Sequence, residues 1–407
     1  MSEPLLSVVI PTKDRARYAM HCLRTLTRLP DDDLEIIVQD NSATDDLGRT
    51  IADAGDARVR YEHRPGALSV IDNCELAMAR ARGTYVTLLG DDDGVSAALM
   101  NVTRRAAHDD LDALTPALAA RYVWPDVRFK HYGGAYAGTL TVLPYTGRVR
   151  VRDAALGARR SLRAAFQDLA TNLDLPKLYY GLVHRRAIEA LRAEAGGVFP
   201  GVSPDMSAAV GLSKYARRFA SLDFPVFLPG GSAVSTAGAH ARKEHVGRLE
   251  DQPHLPRGCA ASWPVEVPAV FAVQTVWAQS GLAALRATGR ADLAREIDLG
   301  FLHAMTGTLN AGFWPVVRAS YAAALRARGR SWLRGEADLA SGVARTWAIR
   351  TRYLVGRLAR RPWLVGDHQA TGLAFIEDAA AALDAWIARR GPTEDEAAPR
   401  WLGNHQG

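Results

Sequence analysis

The chain has 407 residues, of which 48% are hydrophobic and 23% are charged, a composition typical of a folded protein with about two domains. Its formal net charge of +6 permits an anionic partner, such as a nucleotide or a membrane surface, but does not indicate nucleic-acid binding. The three cysteines, Cys22, Cys74 and Cys259, are too few and too widely spaced for a disulfide framework. With no visible signal peptide, these features argue against a secreted, disulfide-stabilised protein and predict a cytoplasmic one.

Short apolar runs alternate with helical patterns through the first part of the chain. The predicted strands are Leu5–Ile10, Leu34–Val38, Val59–Glu62 and Tyr85–Leu89. Helical patterns separate these strands at residues 16–29, 43–54 and 69–82. The alternation predicts an α/β fold with a mainly parallel central sheet and helices on both of its faces.

Polar residues follow several of the predicted strands at the point where each strand ends. They are Pro11-Thr12, Asp40-Asn41 and the run Asp91-Asp92-Asp93. In open parallel sheets, ligands bind beyond the carboxyl ends of the strands. Adjacent carboxylates repel one another and are costly to bury, and they suit a hard cation such as Mg²⁺ or Mn²⁺. The alternative is a solvent-exposed acidic turn.

These motifs occur in an order that resembles family 2 glycosyltransferases of the GT-A fold. The matching elements are Ser-Val-Val-Ile-Pro-Thr-x-Asp-Arg, Ile-Ile-Val-x-Asp-Asn-Ser, Asn73 before a helix ending Ala-Arg-Gly-x-Tyr, and Leu-Leu-Gly-Asp-Asp-Asp. The resemblance is strong over residues 5–100 and weaker to residue 240. It implies a GT-A domain that is an inverting transferase, uses a nucleotide-sugar donor and requires Mn²⁺ or Mg²⁺.

The resemblance also implies roles for particular residues. Those expected to line the nucleotide sugar are Pro11, Thr12, Arg15, Asp40, Asn41, Arg64, Asn73, Asp91 and Asp92. Those expected to bind the metal are Asp91, Asp93 and His240. Two alternatives stay open, namely Asp92-Asp93 as the operative acid pair and His245 as the histidine. A carboxylate at Asp40 can accept the imide N–H of uracil or thymine, which favours UDP or dTDP, with GDP third.

Asp205 follows Ser203-Pro204 and opens a helical pattern over residues 206–215. In the related transferases an acid at the start of the corresponding helix is the general base, so the resemblance implies that role for Asp205. A carboxylate at this position could instead act only as a helix cap. A single-displacement mechanism needs one such base, which would take the proton of the acceptor hydroxyl.

After Pro256 the composition shifts to Ala, Arg and Leu at helical spacing. We therefore expect a GT-A glycosyltransferase domain over residues 1–250, a helical C-terminal domain over 251–390 and a flexible tail over 391–407. Residues 345–361 form a basic amphipathic pattern, compatible with peripheral association with the inner face of a membrane or with an ordinary surface helix. We expect the C-terminal helices to serve acceptor binding or homodimerisation.

The sequence thus predicts a metal-dependent inverting glycosyltransferase, with a glycan, a lipid-linked glycan or a natural product as hydroxyl acceptor. One alternative is a sugar-phosphate nucleotidyltransferase, although such enzymes usually carry a Gly-rich loop where this chain has Pro11-Thr12-Lys13-Asp14. Another is a non-catalytic nucleotide-sugar-binding protein. The absence of Gly-x-Gly-x-x-Gly after the first strand and of a Gly-Lys-Ser/Thr loop argues against dinucleotide oxidoreductases and P-loop NTPases.

Overall fold

The computed structural model describes residues 3–129, 133–169, 171–235, 246–252, 255–359 and 368–390. The predicted α/β fold is confirmed: a mainly parallel sheet with helices on both faces is followed by a mostly helical C-terminal region. His240, His245 and the predicted tail over residues 391–407 lie outside the described residues.

An eight-stranded sheet is the centre of the N-terminal half, with strand order β3-β2-β1-β4-β10-β6-β11-β9. Two smaller sheets, β12-β5 and β13-β7-β8-β14, lie beside it. The strands are β1 Leu6–Thr12, β2 Leu34–Asp40, β3 Val59–His63, β4 Tyr85–Leu88, β5 Gly94–Val95, β6 Ala113–Pro116, β7 Ala120–Val123, β8 Thr139–Val142, β9 Val149–Val151, β10 Leu182–His184, β11 Phe219–Leu222, β12 Phe227–Leu228, β13 Gly230–Gly231 and β14 His368–Ala370.

Helices cover both faces of the large sheet and then form the C-terminal region. In the N-terminal half they are α1 Ala16–Thr27, α2 Asp46–Ala54, α3 Val70–Met78, α4 Leu99–His108, α5 Ala154–Arg163, α6 Arg185–Ala195 and α7 Pro204–Leu212. In the C-terminal half they are α8 Val273–Ala287, α9 Ala291–Ala294, α10 Leu299–Leu309, α11 Trp314–Ala327, α12 Trp332–Ala359 and α13 Ile376–Arg390. None of the helices in the described part of the chain has both the length and the apolar composition needed to cross a bilayer.

Strand register brings the polar strand ends together. Strand β1 lies between β2 and β4 and is parallel to both, because helical crossovers separate these strands in the chain. Thr12 at the end of β1 is directly opposite Asp40 at the end of β2. The amide of Leu89 donates to the carbonyl of Val9, so the chain leaves β4 beside the end of β1. The acid run therefore begins next to Thr12.

The middle of the chain differs from the sequence prediction. The residue pattern over 162–172 predicts a helix there, and this prediction is wrong. The helix in this part of the chain is α5, which is ten residues long and ends at Arg163. The Asp153 carboxylate accepts from the amide of Leu156 at 3.0 Å and sets the start of that helix. Ala165 and Phe166 have positive φ values of 49° and 62°, which are incompatible with continuing a right-handed helix.

The helices of the C-terminal half belong to two different hydrophobic cores. Helices α8, α10, α11 and α12 share a second hydrophobic core. Helices α10 and α12 cross closely at Gly300 and Gly342, where a Cβ on Gly342 would lie 2.6 Å from the Gly300 carbonyl oxygen. Helix α13 instead packs on α1 and contributes buried side chains to the core of the N-terminal half. The division at residue 250 stays a prediction.

Candidate active site

The acid triplet, Asp91, Asp92 and Asp93, follows β4 at the carboxyl end of the large sheet. The three residues are buried, with 3%, 5% and 1% of their surfaces exposed, so the alternative of a solvent-exposed turn is wrong. The Thr12 hydroxyl donates to Asp91 Oδ2 at 2.7 Å. This bond connects the end of β1 directly to the triplet.

Arg15 joins helix α1 to two of the acids. Its Nη1 lies 2.7 Å from Asp91 Oδ1 and its Nη2 lies 3.0 Å from Asp92 Oδ2. Nη2 also donates to the Ser232 hydroxyl at 2.8 Å. The amide of Ser232 donates to Asp92 Oδ2 at 3.1 Å, so the turn after β13 closes over the triplet. This turn follows Gly230-Gly231, where the absence of side chains lets the backbone approach its neighbours closely.

Asp93 has a different environment. One carboxylate oxygen accepts from the amide of Gly90 at 2.9 Å and from the hydroxyl of Tyr179 at 3.0 Å. The other accepts from the amide of Gly230 at 2.7 Å. A Cβ on Gly90 would lie 2.4 Å from the Tyr179 hydroxyl, so this position requires glycine. Asp93 therefore connects three chain segments.

Burial dominates the electrostatics of the triplet. It raises the pKa of Asp91 to about 7, where the Arg15 charge opposes the rise and the Asp92 charge adds to it. It also raises the pKa of Asp93 to about 7, assisted by the Asp92 charge and opposed by the Gly230 amide. Carboxylates in this environment would gain greatly from a nearby cation, because desolvated negative charges are costly without a partner.

The predicted base-binding residues lie at the end of β2. Asp40 is fully buried and accepts from the Ser42 amide at 2.8 Å, from the Ser42 hydroxyl and from the Tyr61 hydroxyl at 2.9 Å. Because a carboxylate has about four acceptor sites, these donors leave room for one more. Asn41 donates through Nδ2 to the carbonyl of Arg64 at 2.7 Å, whereas the Arg64 side chain is exposed.

Several buried polar atoms at this edge of the sheet have no hydrogen-bond partner in the described part of the chain. They are Arg15 Nε, both polar atoms of the Gln39 amide, Asn41 Oδ1, Asn73 Oδ1 and Asp91 Oδ1. Asn73 lies beside Thr12, since its Nδ2 donates to the Thr12 carbonyl at 3.2 Å. Buried polar groups in native proteins are almost always satisfied, so this concentration of unsatisfied atoms marks the edge as a place for a polar ligand.

Asp205 lies in the first turn of α7, where Oδ1 accepts from the Ser203 hydroxyl and from the Met206 amide at 2.8 Å. Burial raises its pKa, and the Ser203 hydrogen bond opposes the rise. Its charge acts on buried Lys177, whose pKa burial lowers to about 8. No hydrogen bond in the described ranges joins Asp205 to the acid triplet, but the segment 177–180 links them, since Tyr179 reaches Asp93.

Sequence reasoning missed several residues that shape this site. Nothing in the sequence pattern around Lys177 and Tyr179 marks them as site residues. Trp124 is fully buried, and its indole N–H donates to the Asp92 carbonyl at 2.9 Å. Ser232 could have been found, because it follows the Gly-Gly pair that approaches the triplet.

A cation fits only part of this arrangement. Within the described ranges, no three His, Cys, Asp or Glu side chains form a ready-made metal-binding group. Asp91 Oδ1 accepts no aligned hydrogen bond among these residues, but Arg15 Nη1 lies 2.7 Å away, so an ion at this oxygen would have to displace the guanidinium. Asp93 is already occupied by its three donors. The donor set of carboxylate oxygens is the one that Mg²⁺ and Mn²⁺ prefer.

Comparison with curated proteins yields partial matches. The chain is 33% identical over 113 residues to the "Uncharacterized glycosyltransferase EpsJ" of Bacillus subtilis, covering 27% of this chain and 32% of that protein. It is 32% identical over 96 residues to "Glycosyltransferase GlyG" of Streptococcus pneumoniae, covering 23% of this chain and 31% of that protein. The chain therefore spans about a third of the length of these relatives, at 32% and 31%.

Solved structures are more distant. TarS 1-349 of S. aureus in complex with UDP-GlcNAc is 12% identical with a TM-score of 0.41, over 80% of this chain and 93% of that chain. The mannosyltransferase PcManGT of Pyrobaculum calidifontis, in complex with GDP-Man and Mn²⁺, is 17% identical with a TM-score of 0.40, over 95% and 88%. The profile of glycosyl transferase family 2 matches residues 7–166, a range that holds β1, β2, β4 and the acid triplet. Residues 7–166 are therefore a glycosyl transferase family 2 domain.

Proposed function

We propose that the chain is a metal-dependent inverting glycosyltransferase that moves a sugar from a nucleoside-diphosphate sugar to a hydroxyl acceptor. The observation that carries the proposal is the edge of the sheet, where buried acids, Arg15 and unsatisfied polar atoms converge at the ends of parallel strands. Family membership supports the reaction class. The acceptor class is a glycan, a lipid-linked glycan or a natural product.

In a single-displacement reaction, each of the site residues would have a separate role. Asp40 and Asn41 hold the base, while Thr12 and Arg15 lie toward the diphosphate. Arg15 suits that role because a guanidinium binds phosphate oxygens in a bidentate manner. When bound at the acid triplet, Mn²⁺ or Mg²⁺ would neutralise charge on the leaving diphosphate. His240 as a further ligand is part of the proposal, although it lies outside the described residues.

Asp205 is the proposed general base. An acceptor hydroxyl is a weak nucleophile, and a carboxylate that takes its proton as the new bond forms lowers the barrier. Burial raises the pKa of Asp205, which brings it nearer to the working pH and makes it a stronger base. Because inversion is direct, no side chain has to bond covalently to the sugar.

The test is to incubate the purified chain with UDP-, dTDP- and GDP-sugars, with Mn²⁺ or with EDTA, and to identify the products. Release of the nucleoside diphosphate that requires Mn²⁺ supports the transferase. Pyrophosphate-linked chemistry on a sugar phosphate would instead support a nucleotidyltransferase. Binding of the nucleotide sugar without any turnover, in the presence of varied acceptors, would leave the non-catalytic alternative.

Nucleotide preference follows from Asp40. Its remaining acceptor site can receive the imide N–H of uracil, whereas cytosine presents an acceptor at that ring position and would meet the carboxylate with repulsion. We expect UDP to bind more tightly than CDP by roughly 10–150-fold, since one hydrogen bond to a charged group contributes about 1.5–3 kcal/mol. Isothermal titration calorimetry measures both affinities. Equal or tighter binding of CDP contradicts the assignment of Asp40 to the base. A Ser42→Ala variant removes the hydroxyl that donates to Asp40 and measures how far that hydrogen bond affects UDP binding.

Helix α12 offers the surface that we propose for membrane association. After buried Thr346 its described side chains are exposed. Trp347, Leu354 and Val355, exposed at 52%, 49% and 57%, share one helical face. Arg350 and Arg352 flank this face, so an anionic lipid surface complements it, whereas a second copy of the helix would bring like charges together.

Vesicle sedimentation tests this surface. We expect binding to phosphatidylglycerol vesicles but not to phosphatidylcholine vesicles, because the arginines need anionic headgroups. The double variant Trp347→Ala/Leu354→Ala should weaken binding by about tenfold or more, since each side chain loses its burial in the lipid interface. Leu333→Ala, exposed at 80% near the start of the same helix, is the matched control. Equal binding to neutral vesicles, or dimerisation without lipid binding, contradicts the proposal.

A further inference from the structure

The Arg15 guanidinium occupies the position where a cation would balance the acid triplet. It lies within 3.0 Å of Asp92 Oδ2 and 2.7 Å of Asp91 Oδ1. The contact with Asp91 Oδ1 is an ion pair whose geometry is not aligned as a hydrogen bond. An oxygen held by charge without directed hydrogen bonds can exchange one cation for another at little cost in geometry.

Asp93 is bound in the opposite way. Two backbone amides and the Tyr179 hydroxyl donate to its oxygens at distances of 2.7 to 3.0 Å. A cation on Asp93 would have to displace donors that are themselves buried, and each unpaired donor carries a large desolvation penalty. Asp91 and Asp92 also accept hydrogen bonds, from the Thr12 hydroxyl and the Ser232 amide, but both carboxylates face Arg15. The geometry therefore separates the triplet into an exchangeable pair, Asp91 and Asp92, and a more fully bonded anchor, Asp93.

Unsatisfied polar groups next to this pair point to a ligand. Arg15 Nε is a buried donor without a partner in the described ranges. Asn73 is 6% exposed, its Oδ1 is likewise unpaired, and its Nδ2 reaches Thr12, whose hydroxyl bonds to Asp91. A bound ligand with both anionic and donor groups would satisfy these atoms, and a nucleoside diphosphate has both.

We propose that Arg15 and a divalent cation bind Asp91 and Asp92 in turn, and that a bound nucleoside diphosphate shifts the balance toward the cation. The proposal rests on the proposed function for the identity of the nucleotide. The diphosphate attracts the guanidinium bidentately, so Arg15 leaves the two carboxylates. Buried carboxylates without a countercharge are strongly destabilised, and the cation then binds in its place. Asp93 acts throughout as a positioning residue.

The proposed exchange predicts how the affinity for the cation depends on the charge of Arg15. If Arg15 competes with the cation, removing its charge must tighten cation binding even when no nucleotide is present. Binding couplings of this kind amount to roughly 5–150-fold. By thermodynamic reciprocity, UDP and Mn²⁺ must also tighten each other's binding to the wild-type chain.

The experiment measures Mn²⁺ affinity from the electron paramagnetic resonance signal of the free ion, with correction for Mn²⁺ bound by UDP in solution. Arg15→Gln should bind Mn²⁺ more tightly than the wild type, by a factor within the roughly 5–150-fold range, in the absence of UDP. Arg17→Gln, an exposed neighbour on the same helix, should match the wild type. Asp91→Asn and Asp92→Asn should weaken Mn²⁺ binding, and Asp93→Asn should weaken it least.

Two outcomes overturn the proposal: an Arg15→Gln affinity for Mn²⁺ no higher than that of the wild type, or an Asp93→Asn loss larger than that of Asp91→Asn. Thermal melting reports whether each variant is folded. Should Arg15→Gln fail to fold, the three Asn variants and the effect of UDP on wild-type Mn²⁺ binding decide the matter. Sugar transfer by the wild type is scored separately, so a failure of the exchange is distinguishable from a failure of the proposed function.

Discussion

Asp205→Asn should reduce sugar transfer by about 10²–10⁴-fold at saturating donor, the range typical of losing a positioned general base. An amide oxygen can still accept from the Ser203 hydroxyl and the Met206 amide, so the start of α7 should keep its structure. It cannot accept a proton from the acceptor. Turnover measured with the acceptor varied, together with the melting temperature, separates the chemical role from the structural one.

The pH dependence of turnover gives an independent check. Burial raises the pKa of Asp205, so the carboxylate becomes protonated at a higher pH than an exposed aspartate. Wild-type turnover should therefore fall with decreasing pH through that raised pKa. The Asn variant should lose this contribution and keep only the fall caused by protonation of Asp91 and Asp93, whose pKa values burial raises to about 7. Donor binding should change little. Near-wild-type turnover of Asp205→Asn would show that the residue is only a helix cap, since Asn and Asp cap comparably.

Asp93→Ala should abolish transfer and also destabilise the protein, by roughly 3 kcal/mol, since it leaves buried donors without acceptors. The donors are the amides of Gly90 and Gly230 and the hydroxyl of Tyr179. Loss of the Gly230 contact releases β13 and the turn that carries Ser232 toward the triplet. Urea unfolding measures the free energy, and donor turnover measures the activity.

Two further variants separate the effect of Asp93→Ala on stability from its effect on activity. Asp53→Ala, an exposed acid on α2, should change neither stability nor turnover by a measurable amount. Tyr179→Phe removes one of the three donors together with its partner bond, so the expected loss of stability is smaller, about 0.5–1.5 kcal/mol. An Asp93→Ala variant as stable as the wild type would show that the anchoring contacts contribute little.

The parallel core could be predicted because its signals are local. The strands β1, β2 and β4 are short apolar runs that end at polar residues, and each is separated from the next by a helical pattern. Parallel strands place their carboxyl ends at one edge, so the neighbourhood of Thr12, Asp40 and Asp91 followed from order alone. The hydrogen bond from Thr12 to Asp91 shows that these two strand ends lie next to each other.

The rest depended on tertiary contacts that leave no local pattern. The Tyr179 hydroxyl donates to Asp93, which is 86 positions away in the sequence, and the Ser232 amide donates to Asp92, which is 140 positions away. Nothing in the triplet itself distinguishes Asp93, which accepts hydrogen bonds from two backbone amides and the Tyr179 hydroxyl, from Asp91, whose Oδ1 forms an ion pair with Arg15. The end of α5 was missed because positive φ at Ala165 and Phe166 occurs at residues that rarely adopt it.

Helix α13 has a consequence for how the protein is made. Its Ile376, Ala379 and Leu383 are buried in the same core as side chains of β1 and α1, and Phe375 stacks on His21 of α1 at 3.8 Å between ring centroids. A ribosome synthesises β1 first and α13 near the end of the described chain. The earliest segment therefore completes its packing only after the late segment has emerged, although domains generally fold in order of synthesis. A nascent chain that ends before residue 376 would leave this apolar surface of α1 and its neighbours uncovered.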